Sequence, residues 1–253
     1  MHELGPLIQK LMRWSDLDEA DQRLVLSLPH STRRFSRASY VVQEGTVPSH
    51  AGVLLSGFAF RQKITASGSR QVLAIHIPGD IVDLQNSFLD RADHSVQVLT
   101  DSEFAMVPIS AFKDIAFQRP AIGIALWRET LVDGSIQREW TANVGRRNAR
   151  ERTSHLLCEC GYRLEMAGLG HRTRFQLPMT QEELADALGL TPVHINRTLM
   201  SLDREGLTTR RRNLVQIHDW DALAAIGDFE PGYLHIPAAL QSALTAAPVS
   251  MAR

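Results

Sequence analysis

The 253-residue chain is poor in cysteine and aromatic residues, and its charges nearly cancel, leaving a formal net charge of −1. Its two cysteines, Cys158 and Cys160, lie two positions apart in a helical stretch. They point to different sides of that helix and cannot pair with each other. A disulfide framework is excluded, in keeping with a reducing compartment. No run approaches the ~18 consecutive apolar residues of a membrane span, and the start, MHELGPLIQKLMRW, has no secretory pattern. The expected location is the cytoplasm, with no membrane partner. What the chain does have is 44% hydrophobic residues, enough for a buried core in one large or two ordinary domains.

The near-zero net charge conceals an asymmetry. Lys plus Arg against Asp plus Glu is 14 to 16 over residues 1–142, 12 to 8 over 143–213 and 1 to 4 over 214–253. The excess in the middle segment is entirely arginine, a modest electrostatic signal for a polyanionic partner.

Hydrophobic period divides the chain. Leu7, Leu11, Leu24 and Leu28, interrupted near Ser15 and Asp16, predict two short helices. From about Phe35 to Val107, short β-rich runs alternate with turn signals at Gly45, Gly57, Gly68 and Gly79, as in an antiparallel sandwich or roll. Helical spacing returns over 119–142, where Ile122, Leu126, Ile136 and Trp140 mark either a dimer seam or a face packed on the roll. A boundary and hinge are placed at Asn143 to Gly145. A second helix follows, with Ala149, Thr153, Leu156, Leu157, Cys160 and Leu164 on one face and Cys158 on another, where a redox-sensitive thiol is a minor alternative. The expected class is α+β, with a roll and N-terminal helices at 1–118, a helix at 119–142, a helical domain at 143–218 and an extension at 219–253. That extension begins with a short helix, DALAAIG, and is expected to be disordered after about residue 240.

The stretch TQEELADALGLTPVHINRTLMSLDREGL is the most informative. Thr180 and Glu183 form a capping box, so one helix begins at Gln181 and ends at Gly189. Thr191 caps a second, with Pro192 at its first position. Two helices joined by a short glycine turn are a helix-turn-helix signature. In the second helix Ile195, Leu199 and Leu202 face inward, leaving Val193, His194, Asn196, Arg197 and Met200 outside. That face suits base reading: Arg197 for guanine, Asn196 for adenine, Val193 for a thymine methyl. Thr180, Gln181 and Thr191 sit at helix starts that suit phosphates. TTRRRNLVQIHD then reads as strand, turn and strand, a wing whose Arg210, Arg211 and Arg212 would neutralise phosphates.

This order of roll, long helix and winged helix resembles the CRP/FNR superfamily of bacterial transcription regulators over about residues 20–218. VVQEG, LLSGFAF and IPGDIV fall where the family has its turn glycines and its Pro-Gly-Asp stretch. The resemblance implies a roll of the cyclic-nucleotide-binding, jelly-roll type, a dimerisation helix at 119–142, and a non-enzymatic homodimer binding palindromic double-stranded DNA. RNA polymerase would be a partner if it activates. Cyclic-AMP-binding members carry Gly-Glu and then Arg-Ser or Arg-Thr in the roll; the aligned residues here are Asp83 and Leu84, then His94 and Ser95. Without the arginine, cyclic AMP is not expected. Two cysteines are too few for a four-thiolate cluster. Haem through His76 or His94 is a minor alternative, and no cofactor or metal is expected. Other readings are a ligand-binding module whose winged helix contacts protein, and a cupin-like metal enzyme using His50, His76 and His94.

Overall fold

The computed structural model describes residues 2–13 and 15–237, so the stretch expected to be disordered lies outside the described residues. Two short helices open the chain, α1 (Gly5–Leu11) and α2 (Glu19–Leu26). Asp18 and Asp21 form a capping box that starts α2. Val25 is the buried position of that turn, and Leu24 faces outward. Asp21 is itself buried and accepts from Arg119 Nε at 2.6 Å, pinning α2 to the chain ahead of the long helix.

Strands β1 (Ser31–Phe35), β2 (Tyr40–Val42), β3 (His50–Ser56), β4 (Ala59–Ile64), β5 (Arg70–His76), β6 (Ile81–Val82), β7 (Ser95–Val98) and β8 (Ser102–Pro108) follow. They pair antiparallel in two sheets, ordered β1-β8-β3-β6 and β2-β7-β4-β5. The expected roll is present, and it opens earlier than its apolar pattern indicated. β1, STRRF, is an exposed edge strand with no inward apolar alternation to announce it. On β3 the period of two sends Leu54 toward Val82, Val96 and Phe104 between the sheets. Ala51 and Val53 face the other way, onto α1, α2 and the helices that follow the roll.

α3 (Ile109–Gln118) ends at Arg119, and α4 (Pro120–Arg146) begins at once with proline in its first turn. Of the two readings of α4, the packed face holds and the dimer seam does not. Ile122, Leu126, Ile136 and Trp140 are all buried within the chain, the first two against the roll's outer helices and the last two against β4, β5 and the C-terminal half. They are packing residues rather than a dimer seam. The apolar side chains left in solvent are Ile124, Trp127 and Leu131, at i, i+3 and i+7.

The helix also runs through Asn143–Gly145, where the hinge was placed. A single glycine inside a long helix costs only about 1 kcal/mol, too little to end it. The break comes at Arg147, which is extended, because Asn148 caps α5 (Ala149–Met166) in a box with Glu151. After α5 come β9 (Arg174–Gln176), α6 (Gln181–Leu188), α7 (Pro192–Arg204), β10 (Thr208–Arg211), β11 (Leu214–Ile217) and α8 (Trp220–Gly227). β9 joins the wing hairpin as its third strand, in the order β10-β11-β9. α5 is buried around its circumference, Cys158 included. No exposed thiol results: Cys158 lies in the core that α5 forms with the helix-turn-helix, the wing and α8.

Candidate nucleic-acid interface

The helix-turn-helix is built as its caps dictate. Thr180 Oγ1 accepts from the Glu183 amide at 3.1 Å, and the Thr180 amide donates to the Glu183 carboxylate at 2.6 Å. Gly189 adopts φ +61°, a left-handed conformation that ends α6. A Cβ at Gly189 would also meet the Val144 side chain of α4 at 3.1 Å, so this turn packs against the long helix. Thr191 caps α7 by accepting from the His194 amide at 3.2 Å. Ile195 and Leu202 are buried and Leu199 half-buried, joined by Thr198, whose hydroxyl turns back on the His194 carbonyl.

The outer face of α7 is unobstructed. Val193 is 61% exposed and Met200 46%, with His194, Asn196 and Arg197 exposed beside them. Gln181, at the start of α6, donates to Asn196 Oδ1 at 3.1 Å, so a residue assigned to phosphate touches one assigned to bases. The wing follows alongside. Arg211 and Arg212 are exposed at its turn, Arg212 with φ +55°. Arg210 departs from expectation: its guanidinium turns inward to the Leu177 and Met179 carbonyls and ties the wing to the approach to α6. Burial lowers its pKa, the expected cost of withdrawing a cation from water. Gln181, Asn196, Met200, Asp203 and Arg212 line the cleft of about 300 Å³ between helix and wing.

The domain is anchored by ions. Arg150, in the first turn of α5, makes a two-pronged pair with Glu205 at the end of α7, and that pair holds the Glu205 carboxyl down to about 2. Arg70 of β5 donates to Asp186 of α6 at 2.6 Å, and Gln71 donates to the Ala187 carbonyl at 3.3 Å. The roll therefore holds the first helix of the pair directly.

Residues 151–226 match the model of the Crp-like helix-turn-helix domain, and residues 32–119 match that of the cyclic nucleotide-binding domain. The chain belongs to the CRP/FNR family of transcription regulators. It is 26% identical to the nitrogen fixation regulation protein FixK of Azorhizobium caulinodans, over 81% of this chain and 86% of that one. It is 27% identical to the transcriptional activator protein FnrL of Cereibacter sphaeroides, over 69% of this chain and 71% of that one. The solved structure of FixK2 from Bradyrhizobium japonicum shares the fold, with a TM-score of 0.73 at 21% identity, covering 79% of this chain and 98% of that one.

Within this CRP/FNR chain the four roll residues singled out from the sequence separate. Asp83 and His94 meet, His94 Nε2 lying 2.6 Å from Asp83 Oδ1, both buried, while His94 Nδ1 lies 2.6 Å from Asp93. Asp83 holds φ +64° to reach that position. Ser95 Oγ instead accepts from the Glu44 amide at 3.0 Å. Leu84 turns toward the α3–α4 side and lines a groove there. Sequence reading missed Asn86 and Ser87, which are buried with side-chain polar atoms that find no protein partner. It also missed the charge cluster under the roll. There Lys10 pairs with Asp80 and with Glu129, and Arg163 of α5 reaches Asp80 at 3.4 Å and the Ile75 carbonyl at 2.9 Å. Burial alone would raise the Asp80 carboxyl, but Lys10, His76 and Arg163 outweigh it and hold the pKa well below the usual range. The IPGD stretch was the available signal, since an aspartate on a tight glycine turn is placed to collect cations.

Proposed function

We propose that the protein binds a palindromic operator as a homodimer, placing the two copies of α7 in successive major grooves about 34 Å apart. The observation that carries this is the open outer face of α7, with Val193, His194, Asn196 and Arg197 in solvent beside Arg211 and Arg212 of the wing. Arg197 has the fork geometry for guanine O6 and N7. Thr180, Gln181, Thr191, Arg211 and Arg212 take the flanking phosphates, whereas Arg210 serves the fold.

The second copy packs on α4 through Ile124, Trp127 and Leu131. Beside them Phe88 is 73% exposed and Phe117 76%, on the rim of an apolar groove of about 630 Å³. An exposed apolar stripe of this kind marks an association surface. The dimer works in the bacterial cytoplasm, and where it activates, RNA polymerase is its further partner. Cyclic AMP is not its effector: where nucleotide-binding members use an arginine, this roll carries a histidine already paired with Asp83 and Asp93. Nor does the roll carry haem on His94, whose ring nitrogens are both engaged.

The test is selection of purified protein, without added ligand, on random duplex DNA. Enrichment of a palindrome with half-sites about one turn apart supports the reading. Binding that is indifferent to sequence and flat in salt overturns it.

A further inference from the structure

The helix-turn-helix match ends at residue 226, yet the chain goes on to make close contacts with α5 and α4. α8 ends with Gly227 pressed on α5, where a Cβ would fall 2.5 Å from the His155 amide nitrogen. Asp228, with φ +48°, reverses the chain. Phe229 then enters a ring cluster with His155 at 5.5 Å, Tyr162 at 6.0 Å, Trp220 at 6.1 Å and Tyr233 at 6.3 Å. The Tyr233 hydroxyl donates to Glu159 Oε2 of α5 at 2.8 Å and lies 3.1 Å from His155 Nε2.

The same short segment also grips α4. The Asp228 carboxylate accepts from Arg147, the residue that ends α4, at 3.0 Å. Arg147 in turn donates to Glu139 at 2.7 Å. His235 Nε2 lies 3.2 Å from Ser135 Oγ, three turns back along α4. Glu159 is fully buried and receives Trp140 of α4, Arg163 of α5 and Tyr233, so one carboxylate gathers donors from both helices and from the returning segment.

We propose that residues 228–236 are a strap that spans the break at Arg147–Asn148 and fixes the angle between α4 and α5. The direction of α5 sets where α6 and α7 stand relative to the dimer helix, so the strap sets the separation of the two reading helices. Only that last consequence rests on the DNA-binding reading. Side-chain contacts from one segment to two helices on either side of a non-helical break are what distinguish a strap from packing within one domain. Junctions of this kind open locally, with free energies well below that of global unfolding, unless something bridges them.

The experiment is amide hydrogen exchange on the full chain without DNA, comparing the wild type with Tyr233→Phe and with the double variant Tyr233→Ala, His235→Ala. Exchange of residues 139–156 is expected to rise about tenfold in Tyr233→Phe, the worth of one hydrogen bond to a charged group, and further in the double variant. Residues 50–64 of the roll and 208–217 of the wing keep wild-type exchange. Wild-type exchange at 139–156 in the folded double variant overturns the strap. If the double variant does not fold, Tyr233→Phe decides alone: a faster junction supports the strap and an unchanged one overturns it. The readout involves no operator, so the strap and the DNA-binding reading fail separately.

Discussion

Arg197 and Arg210 are both arginines of the same basic segment, and only one of them faces outward. Arg197 projects from an exposed face of α7, so Arg197→Ala is expected to cost ~1–3 kcal/mol at a single base position of the selected operator and little elsewhere. Arg211 and Arg212 stand free at the wing turn. Replacing both with alanine should weaken binding across all sequences and reduce the slope of log affinity against log salt by about 2 per protomer, since each phosphate contact contributes ~0.9. Arg210→Ala should instead lower the melting temperature, because its hydrogen bonds go to the Leu177 and Met179 carbonyls. The three side chains are consecutive in sequence; which of them turns inward depends on where the residues before α6 run past the wing. The cysteines make the same point. Spacing alone ruled out their pairing, but burial of Cys158 follows from the tertiary core around α5, and burial pushes its thiol pKa up and that of Cys160 to about 12. Both thiols should resist alkylation in the native protein and react on denaturation, as mass spectrometry would record.

Helices α6 and α7 were legible almost to the residue, because their start and stop signals are local: a capping box, a threonine cap followed by proline, and a glycine that can adopt positive φ. Thr191→Ala should cost about 1 kcal/mol of stability, measured by denaturant unfolding, through loss of that cap. α4 was legible as a helix, but whether its apolar residues face a partner or the roll was not. Its apolar residues fall on more than one face, and periodicity reports how many faces are apolar without saying which neighbour covers each. Ile122, Leu126, Ile136 and Trp140 went to the interior, while Trp127, 68% exposed, and its neighbours Ile124 and Leu131 were left for a partner. Trp127→Glu is therefore expected to shift the protein toward monomer in sedimentation and to reduce operator affinity, with the roll remaining folded. Trp140→Glu, by contrast, should destabilise the chain itself, since it would set a second carboxylate against buried Glu159.

At the scale of the whole molecule, buried histidines give stability a pH dependence. Burial lowers the pKa of His76, which faces Asp80, Arg61 and Asp133, and that of His155, which faces Glu159, Glu139 and Arg147. Both favour the neutral ring when folded, whereas in the unfolded chain a histidine titrates near 6.5. The unfolded state thus binds more protons over that interval, and this contribution is present above about pH 6.5 and lost as pH falls through the folded values. The melting temperature should be nearly level from pH 8 to 7 and decline below about 6.5. A flat or rising profile below pH 6.5 would contradict this assignment. A second loss is expected in stronger acid, where Asp80, held low by Lys10 and Arg163, must protonate and release the contact between roll and α5.

The sequence by itself determined what is decided within a few residues or one period: the antiparallel roll, the two capped helices, the wing and the chemistry of the face that α7 presents. These follow from local sterics, capping and alternation, which act over one to four positions. Only the tertiary structure decided matters of long-range juxtaposition. It brought His94 to Asp83, turned Arg210 inward and carried Asp228 to Arg147 across 81 positions of chain. The physical reason is common to all three. Burial and charge pairing depend on which surfaces meet, and pairs far apart in sequence leave no periodic trace of having met.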